Sequence, residues 1–436
     1  MGSEWTTIGE IAEVFDGPHA TPKKIEEGPY FLSISSLEKG RLDLSKSARI
    51  SEEQFVKWTK RVTPEEDDVL FSYETRLGEA ALMPSGIRAC LGRRMGLLRP
   101  KRDKVDPRYL LFAYLGPDFQ REIFARTNSG ATVDRIALKE LPSFPIRIPS
   151  LPEQKKVSAI IGALDDKIEV SRKINTTLES MAQALFKSWF VDFDPVIDNA
   201  LAAGNSIPDA LQARARARQE MRTATGATAQ PLPAEIQQLF PSSFVFTEKM
   251  GWIPDGWEFG VLEDLLVLQR GFDLPKSSRT DGEFALMAAS GQDGTHNEFK
   301  VSGPGITTGR SGKLGEVCFV ERDFWPLNTT LWVKEFKRSS PYHAYYLLKS
   351  MDLEKYNSGS AVPTLNRNYV HNVSVVLPPK DLVSAYDKFV SSLYTKRYEN
   401  EAQNQTLENV RDSLLPKLLS GQLEIPEAEQ QLAEVI

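Results

Sequence analysis

Cysteine is almost missing from this chain. Cys90 and Cys318 are the only two in 436 residues, too few for a disulfide framework or an all-cysteine zinc site. Such usage fits a reducing, cytoplasmic setting. There the four Asn-x-Ser/Thr triplets, such as Asn175-Thr176-Thr177, carry no meaning for glycosylation. Histidine is equally sparse. His19, His296, His343 and His371 stand at no metal-ligand spacing, so solvated or hydrogen-bonded rings are the expectation. No apolar run approaches the roughly eighteen residues of a membrane helix, and no membrane partner is expected. The first fifteen residues hold Glu4, Glu10 and Glu13 and no basic side chain, which argues against a secretory leader. Met1-Gly2-Ser3-Glu4-Trp5-Thr6 satisfies the loose myristoylation pattern, but a pattern that short recurs by chance.

A charge excess is missing too. Lys and Arg number 53 against 59 Asp and Glu, a net charge of −6. That excludes a bulk-basic nucleic-acid coat, although binding depends on where charge sits rather than on its sum. With 41% hydrophobic and 26% charged residues, the composition is that of an ordinary soluble globular protein. The length predicts two to three domains.

Catalytic signatures are absent as well. There is no Asn/Asp-Pro-Pro-Tyr segment of an amino-methyltransferase and no dinucleotide fingerprint after a strand. Residues 303–314 resemble a phosphate loop, which needs a glycine five residues before the Gly-Lys glycine and Ser or Thr after the lysine. Thr307 and Leu314 occupy those positions. A glycine-rich turn carrying Arg310 and Lys313 can still approach DNA phosphates. Asp323 with Glu335-Phe336-Lys337 mimics the acidic-x-lysine pattern of metal nucleases, and a standalone nuclease is carried as an alternative. A protein-binding scaffold is a third class.

What the chain does have is a long internal repeat. Asn128-Ser129-Gly130 recurs as Asn357-Ser358-Gly359, 229 residues on. At the same offset Val133 matches Val362, Asn175 matches Asn404, Thr177-Leu178-Glu179 matches Thr406-Leu407-Glu408, and Leu185 matches Leu414. Upstream the offset drifts: Arg76-Leu77-Gly78-Glu79 resembles Lys313-Leu314-Gly315-Glu316, and Asp16-Gly17 resembles Arg270-Gly271. Such a period marks a duplicated domain and is too long for a solenoid.

Each repeat ends in a helix. Between Leu151 and Phe193, Leu164, Ile168, Ser171, Asn175, Leu178, Ala182, Leu185 and Trp189 recur in steps of four and three. That is a coiled-coil seam with a polar layer at Ser171 and Asn175. Pro152 and Glu153 suit a first turn, and Asp194-Pro195 is expected to stop the helix. The second helix is expected over 382–419, with the seam Leu393, Arg397, Asn400, Asn404, Leu407, Arg411, Leu414 and Leu418. Pro416 should kink its last turn and Gly421 close it. Antiparallel packing of the two helices is expected, with Asn175 and Asn404 setting register.

The remaining regions read as mixed. Strands are expected at 30–34, 68–71, 96–98, 144–148, 317–320, 330–333 and 373–377, and short helices at 108–114 and 342–348. The resulting partition is a globular domain over 1–150, a helix over 151–194 and a linker over 195–250. A second globular domain over 251–380, a second helix over 381–421 and a tail over 422–436 follow. Within the linker, 207–222 is Ala/Arg-rich and helical, and 223–233 reads as a flexible loop.

The strongest local charge is basic: Arg88, Arg93, Arg94, Arg99, Lys101, Arg102, Lys104 and Arg108, opposed only by Asp103 and Asp106. It follows Ala89-Cys90-Leu91-Gly92, a tight turn that could present Arg93 and Arg94 to a groove. Arginine suits bidentate guanine contacts. Lys23-Lys24 after Thr21-Pro22, and Lys276 after Leu274-Pro275, form equivalent basic loops.

These residues resemble the specificity subunit of type I restriction–modification enzymes. The likeness is carried by Trp5-Thr6-Thr7-Ile8-Gly9-Glu10-Ile11, Thr21-Pro22-Lys23-Lys24 and Ala89-Cys90-Leu91-Gly92-Arg93-Arg94. Leu151-Pro152-Glu153-Gln154 opens the helix that ends in Phe186-Lys187-Ser188-Trp189-Phe190. Leu239-Phe240-Pro241-Ser242-Ser243-Phe244, Gly251-Trp252-Ile253-Pro254-Asp255-Gly256-Trp257 and Arg270-Gly271-Phe272-Asp273-Leu274-Pro275 follow. Trp325-Pro326-Leu327-Asn328-Thr329-Thr330 and Pro363-Thr364-Leu365-Asn366-Arg367 complete it. The second helix departs from the first, opening with Pro378-Pro379-Lys380-Asp381.

The resemblance implies an α+β chain of two globular α/β target-recognition domains in pseudo-two-fold duplication, separated by two long antiparallel coiled-coil helices. Each domain would read one half of a split double-stranded DNA target. The helices would fix the spacing and dock two methyltransferase subunits, and a restriction/translocase subunit would join for cleavage. This chain would be non-catalytic and hold no cofactor, with S-adenosylmethionine, ATP and Mg2+ on the partners. Its expected DNA-binding residues are Lys23, Lys24, Arg76, Arg88, Arg93, Arg94, Arg99, Arg270, Lys276, Arg310, Lys313 and Arg367. The expected coiled-coil and subunit contacts are Leu164, Ile168, Asn175, Leu178, Leu185, Trp189, Leu393, Asn404, Leu407 and Leu414.

Overall fold

The computed structural model describes residues 4–18, 20–127, 134–225, 232–359, 361–433 and 435. Met1-Gly2-Ser3, His19, Asn128-Ser129-Gly130, Val133 and residues 226–231 of the expected loop lie outside them. The chain forms two compact units, residues 1–173 with 400–436 and residues 174–399. Each long helix therefore contributes one half to each unit. Among the described residues no helix is long and apolar enough to cross a membrane.

In the first unit Glu4–Thr7 pairs antiparallel with Pro145–Ile148. A four-stranded antiparallel sheet follows, in the order Ala12–Asp16, Met95–Pro100, Val69–Ser72, Ala80–Leu82. Side chains alternate across a sheet. Val69, Phe71 and Leu98 enter the main core, whereas Leu70 and Leu97 enter a second cluster on the other face. With both faces covered, these strands read in sequence as unbroken apolar runs. The main core is completed by the helices Pro107–Leu115 and Pro117–Ala125 and by Val157, Ile161, Leu164 and Ile168. The strand expected at 30–34 is instead Ile25–Phe31; Ser33 then accepts from Ser35 N and starts a tight turn over Ile34–Ser36.

The first long helix begins with a local cap. Ser150 N and Oγ donate to Glu153 at 3.2 and 2.8 Å. Gln154 is buried, accepting from Asp106 N at 2.9 Å and donating to Pro149 O at 2.9 Å. The Leu-Pro-Glu-Gln segment thus both caps the helix and ties it to the globular domain.

The second unit repeats this plan. Glu258–Val261 pairs with Ser374–Leu377, and the four-stranded sheet runs Leu266–Arg270, Thr330–Phe336, Gly305–Gly309, Val317–Val320. Residues 303–314 are therefore largely strand and turn, not a phosphate loop. The register makes the duplication explicit. Gly17 N donates to Met95 O at 2.9 Å, as Gly271 N does to Thr330 O at 3.1 Å. Tyr73 N donates to Arg94 O at 3.2 Å, as Arg310 N does to Thr329 O at 2.8 Å. Ile136 N donates to Tyr73 O at 2.9 Å, as Leu365 N does to Arg310 O at 2.8 Å. Position 16 thus corresponds to 270, 73 to 310, 94 to 329 and 136 to 365, the drifting offsets of the sequence repeat.

The helices span Leu151–Phe186 and Lys380–Ser420, the latter continuing through Pro416 to Gly421, which takes φ 73°. At 36 and 41 residues they extend about 54 and 62 Å. They pack antiparallel within each unit. In the first, Arg411 pairs with Asp165 at 2.9 Å and Arg172 with Glu408 at 2.6 Å. In the second, Asn175 donates to Arg397 O at 3.2 Å and the Tyr386 hydroxyl to Ala182 O at 3.1 Å. The expected seam residues are all buried or half-buried, Leu164, Ile168, Trp189, Leu407 and Leu414 fully so. Asn404 is buried, yet its Oδ1 has no partner among the described residues.

Asp194-Pro195 does not simply stop the first helix. A π turn covers Lys187–Val191, Phe193 takes φ 53°, and Asp194 and Pro195 open a new helix, Asp194–Ala203. Proline at a first turn loses no hydrogen bond. The stretch expected as a linker is folded over most of its length. Arg214 grips Asp194 through two bonds of 2.7 and 2.8 Å, and Arg218 pairs with Asp198. A hairpin, Phe244–Thr247 with Gly251–Pro254, leads into the second globular domain.

Candidate nucleic-acid interface

Strand ends bring three loops together at one edge of each four-stranded sheet. In the first unit the loops that start at Gly17 and Tyr73 meet residues 91–94, Gly17 N donating to Met95 O and Tyr73 N to Arg94 O. Gly92 makes the last turn possible, because an added Cβ would lie 1.8 Å from Leu32 O. Arg94 is left-handed at φ 70°, and so is Thr75 at φ 74°. Its guanidinium pairs with Glu74 at 2.8 Å and donates to Thr75 Oγ1 at 3.2 Å. Paired left-handed non-glycine residues store strain that the surrounding bonds must hold. Arg94 thereby braces the turn. Arg93 beside it is exposed and makes no hydrogen bond or ion pair among the described residues. Lys23 and Lys24 are likewise exposed without such partners. Arg76 is tied back to Ile34 O at 3.1 Å and Glu79 at 3.3 Å.

In the second unit the corresponding loops carry Arg270, Lys276, Arg310 and Lys313. Arg310 Nε donates to Asn328 O at 2.9 Å. Asn328 donates its side-chain amide to Asp273, which Arg270 approaches only to 3.7 Å. Burial, and then the like charge of Arg270, hold Arg310 below its ordinary pKa. Lys276 is exposed, and Lys313 pairs with Glu316 at 2.8 Å. Arg367 is exposed two residues beyond Leu365, whose amide bonds Arg310 O at 2.8 Å.

Two expected residues are not brought to this rim. Arg88 precedes the strand Ala89–Cys90 and makes bonds of 2.8 and 2.7 Å to Glu52. Arg99 lies four residues from the rim end of Met95–Pro100, about 13 Å along the strand. It bonds the buried Asp68 at 3.0 and 2.8 Å. Three more residues of that basic run are also structural: Lys101 bonds Gly9 O at 2.8 Å, Arg102 pairs with Asp67 at 2.9 Å and Arg108 with Asp166, whereas Lys104 is exposed. Asp16, Tyr73 and Asn328 stand at the rim but were not singled out as site residues. The aligned repeat was the signal that could have placed them.

The histidines are structural where described. Leu268 N donates to His371 Nε2 at 2.8 Å, burial holds His343 down to about 3, and His296 Nδ1 meets Thr280 N at 3.2 Å. Asp323 accepts from Gly303 N at 3.0 Å, while Glu335 and Lys337 are exposed. Among the described residues no three His, Cys, Asp or Glu side chains are grouped to hold a metal.

Residues 2–180 and 254–408 match the family model described as the type I restriction modification DNA specificity domain, and the chain belongs to that family. It is 28% identical over 366 residues to the type I restriction enzyme HindI specificity subunit of Haemophilus influenzae, covering 75% of this chain and 80% of that one. It is 24% identical over 453 residues to the MjaIX specificity subunit of Methanocaldococcus jannaschii, covering 97% and 90%. The crystal structure of a type I restriction-modification system S subunit from M. genitalium is similar in fold, at TM-score 0.50 and 16% identity over 96% of each chain. The chain is thus a DNA sequence specificity subunit, the non-catalytic part of such a system. Neither the nuclease nor the scaffold alternative is supported.

Proposed function

We propose that each unit reads one half of a split double-stranded DNA target with the loop rim of its four-stranded sheet. The observation that carries this is the duplicated rim itself: one register, two sets of cationic loops. Lys23, Lys24, Lys276, Lys313 and Arg367 supply phosphate contacts, and Arg93, Arg270 and Arg310 reach bases. Arg76 and Arg94 shape the first rim, and Arg88 and Arg99 hold the fold. The seam residues are used inside the chain. Two methyltransferase subunits instead dock on exposed apolar side chains of the long helices, among them Val170, Met181 and Phe389. A restriction/translocase subunit joins that complex in the cytoplasm, and S-adenosylmethionine, ATP and Mg2+ act on the partners.

Modularity tests the reading. Replacing residues 1–150 with the equivalent domain of another specificity subunit should change one half of the methylated motif and leave the other. The graft must keep the helix face bearing Tyr109 and Phe112, which shares a core with Leu164 and Leu414. A motif altered in both halves would sink the proposal.

The side chains separate the two kinds of contact. Arg93→Ala should relax one base position at a cost of about 1–3 kcal/mol. Lys23→Ala should weaken all sequences alike and lower the salt slope by about one. Equal, sequence-blind losses from both would make Arg93 a phosphate contact.

A further inference from the structure

The two units place opposite chemistry at equivalent points of their two four-stranded sheets. The strand Ala12–Asp16 ends opposite Gly96, as Leu266–Arg270 ends opposite Leu331. Those central strands pair in turn with Phe71 and Thr308. Two residues further along the chain stand Tyr73 and Arg310. Positions 16 and 73 of the first rim are therefore positions 270 and 310 of the second.

In the first unit the pair is Asp16 and Tyr73. Asp16 is engaged by Arg61 at 2.7 and 2.8 Å, and the Tyr73 hydroxyl is buried without a hydrogen-bond partner among the described residues. In the second unit both positions are arginine. Arg310 is fixed on three sides: its amide on Thr329 O at 2.8 Å, its carbonyl under Leu365 N at 2.8 Å, and Nε on Asn328 O at 2.9 Å. With Nε occupied, the outer edge of the guanidinium presents Nη1 and Nη2 with no protein acceptor among the described residues. The like charge of Arg270 acts against that of Arg310. Asp273, which Arg270 approaches to 3.7 Å, is already engaged by Asn328. A guanidinium held this way suits a ligand with two acceptors.

We infer that the second unit reads a guanine, with Arg310 Nη1 and Nη2 donating to its O6 and N7 and Arg270 supporting the contact from the side. In the major groove guanine offers two acceptors side by side, whereas adenine sets a donor beside its N7 and thymine offers one acceptor. The first unit, with a carboxylate and a phenol at these positions, cannot make that contact there. This assignment rests on the reading that the loop rims face DNA.

The test uses the full chain in complex with its methyltransferase partner, on random-sequence duplexes and on methylated genomic DNA. Arg310→Ala should relax one G·C pair, with a loss of discrimination of about 5- to 150-fold. The altered half should be the one that a swap of residues 1–150 leaves intact. Arg310→Lys, which keeps the charge but not the fork, should retain bulk affinity and lose the same discrimination. If the alanine variant fails to assemble, the lysine variant carries the test, its thermal unfolding matched to the parent. A half-site built only of A·T pairs would overturn the assignment. So would a uniform loss from Arg310→Ala with a flatter salt dependence, which marks a phosphate contact. Unchanged binding by Arg310→Ala while Lys276→Ala weakens it also overturns the guanine, but leaves the rim on DNA. Unchanged binding by Arg310→Ala, Lys276→Ala and Arg93→Ala together would remove the rim reading itself.

Discussion

Trp189→Ala is expected to cost the second unit about 3–5 kcal/mol, the range for deleting a large buried aromatic. Trp189 is 1% exposed. It sits on the π turn that ends the first long helix, edge-on to Phe240 at 5.2 Å and to Tyr386 at 6.0 Å, with Phe389 at 6.1 Å. Its ring thus joins the end of the first helix, the segment before the hairpin and the start of the second helix. Tyr386 and Phe389 are fixed on the second long helix and cannot collapse into the space without distorting it. Trp189→Phe keeps a ring and should lose much less. Urea unfolding followed by circular dichroism measures both. A cost below about 1 kcal/mol for the alanine variant would mean that the site repacks freely. No change in the DNA motif is expected at any stability that still permits assembly, because the rim loops are untouched.

The duplication was legible in sequence because backbone hydrogen bonds are repeated while loops vary. The match of Arg76-Leu77-Gly78-Glu79 with Lys313-Leu314-Gly315-Glu316 follows from the same register that pairs Tyr73 with Arg310. The helices were legible for a similar reason: a seam of steps of four and three is a property of local spacing. The basic run was not. Its charges are answered by Glu52, Asp67, Asp68 and Asp166, which arrive from distant stretches of chain, so counting nearby carboxylates overstated the free charge. Only Arg93 remains exposed at the rim end, because the strand Met95–Pro100 carries Arg99 away from it. The role of Pro195 was hidden by an ambiguity of proline itself. The ring that ends one helix is also well tolerated in the first turn of the next.

Lengthening both helices by one heptad should widen the gap between the two halves of the DNA target. Asn175 meets the Arg397 carbonyl and Arg172 meets Glu408. Insertions after Lys173 and after Glu399 therefore fall at matched points of the antiparallel pair. Seven residues preserve the seam phase and add about 10 Å of helix. At roughly 3.4 Å per base pair, that is at most about three more pairs of spacer. Tilt of the helices against the DNA axis would reduce the gain. The half-site sequences should not change, since Arg93, Arg270 and Arg310 keep their loops. Four residues inserted after Lys173 in the first helix alone should rotate Ala182, Phe186 and Trp189 out of phase with Leu164 and Ile168, so that the two stretches no longer face their cores together. That exposes core side chains which each cost about 2–5 kcal/mol to lose, and assembly should fail. The measurement is the methylated motif of the double insertion, with assembly confirmed by size-exclusion chromatography. An assembled, active complex that still uses the original spacer would show that contacts outside these helices set the distance.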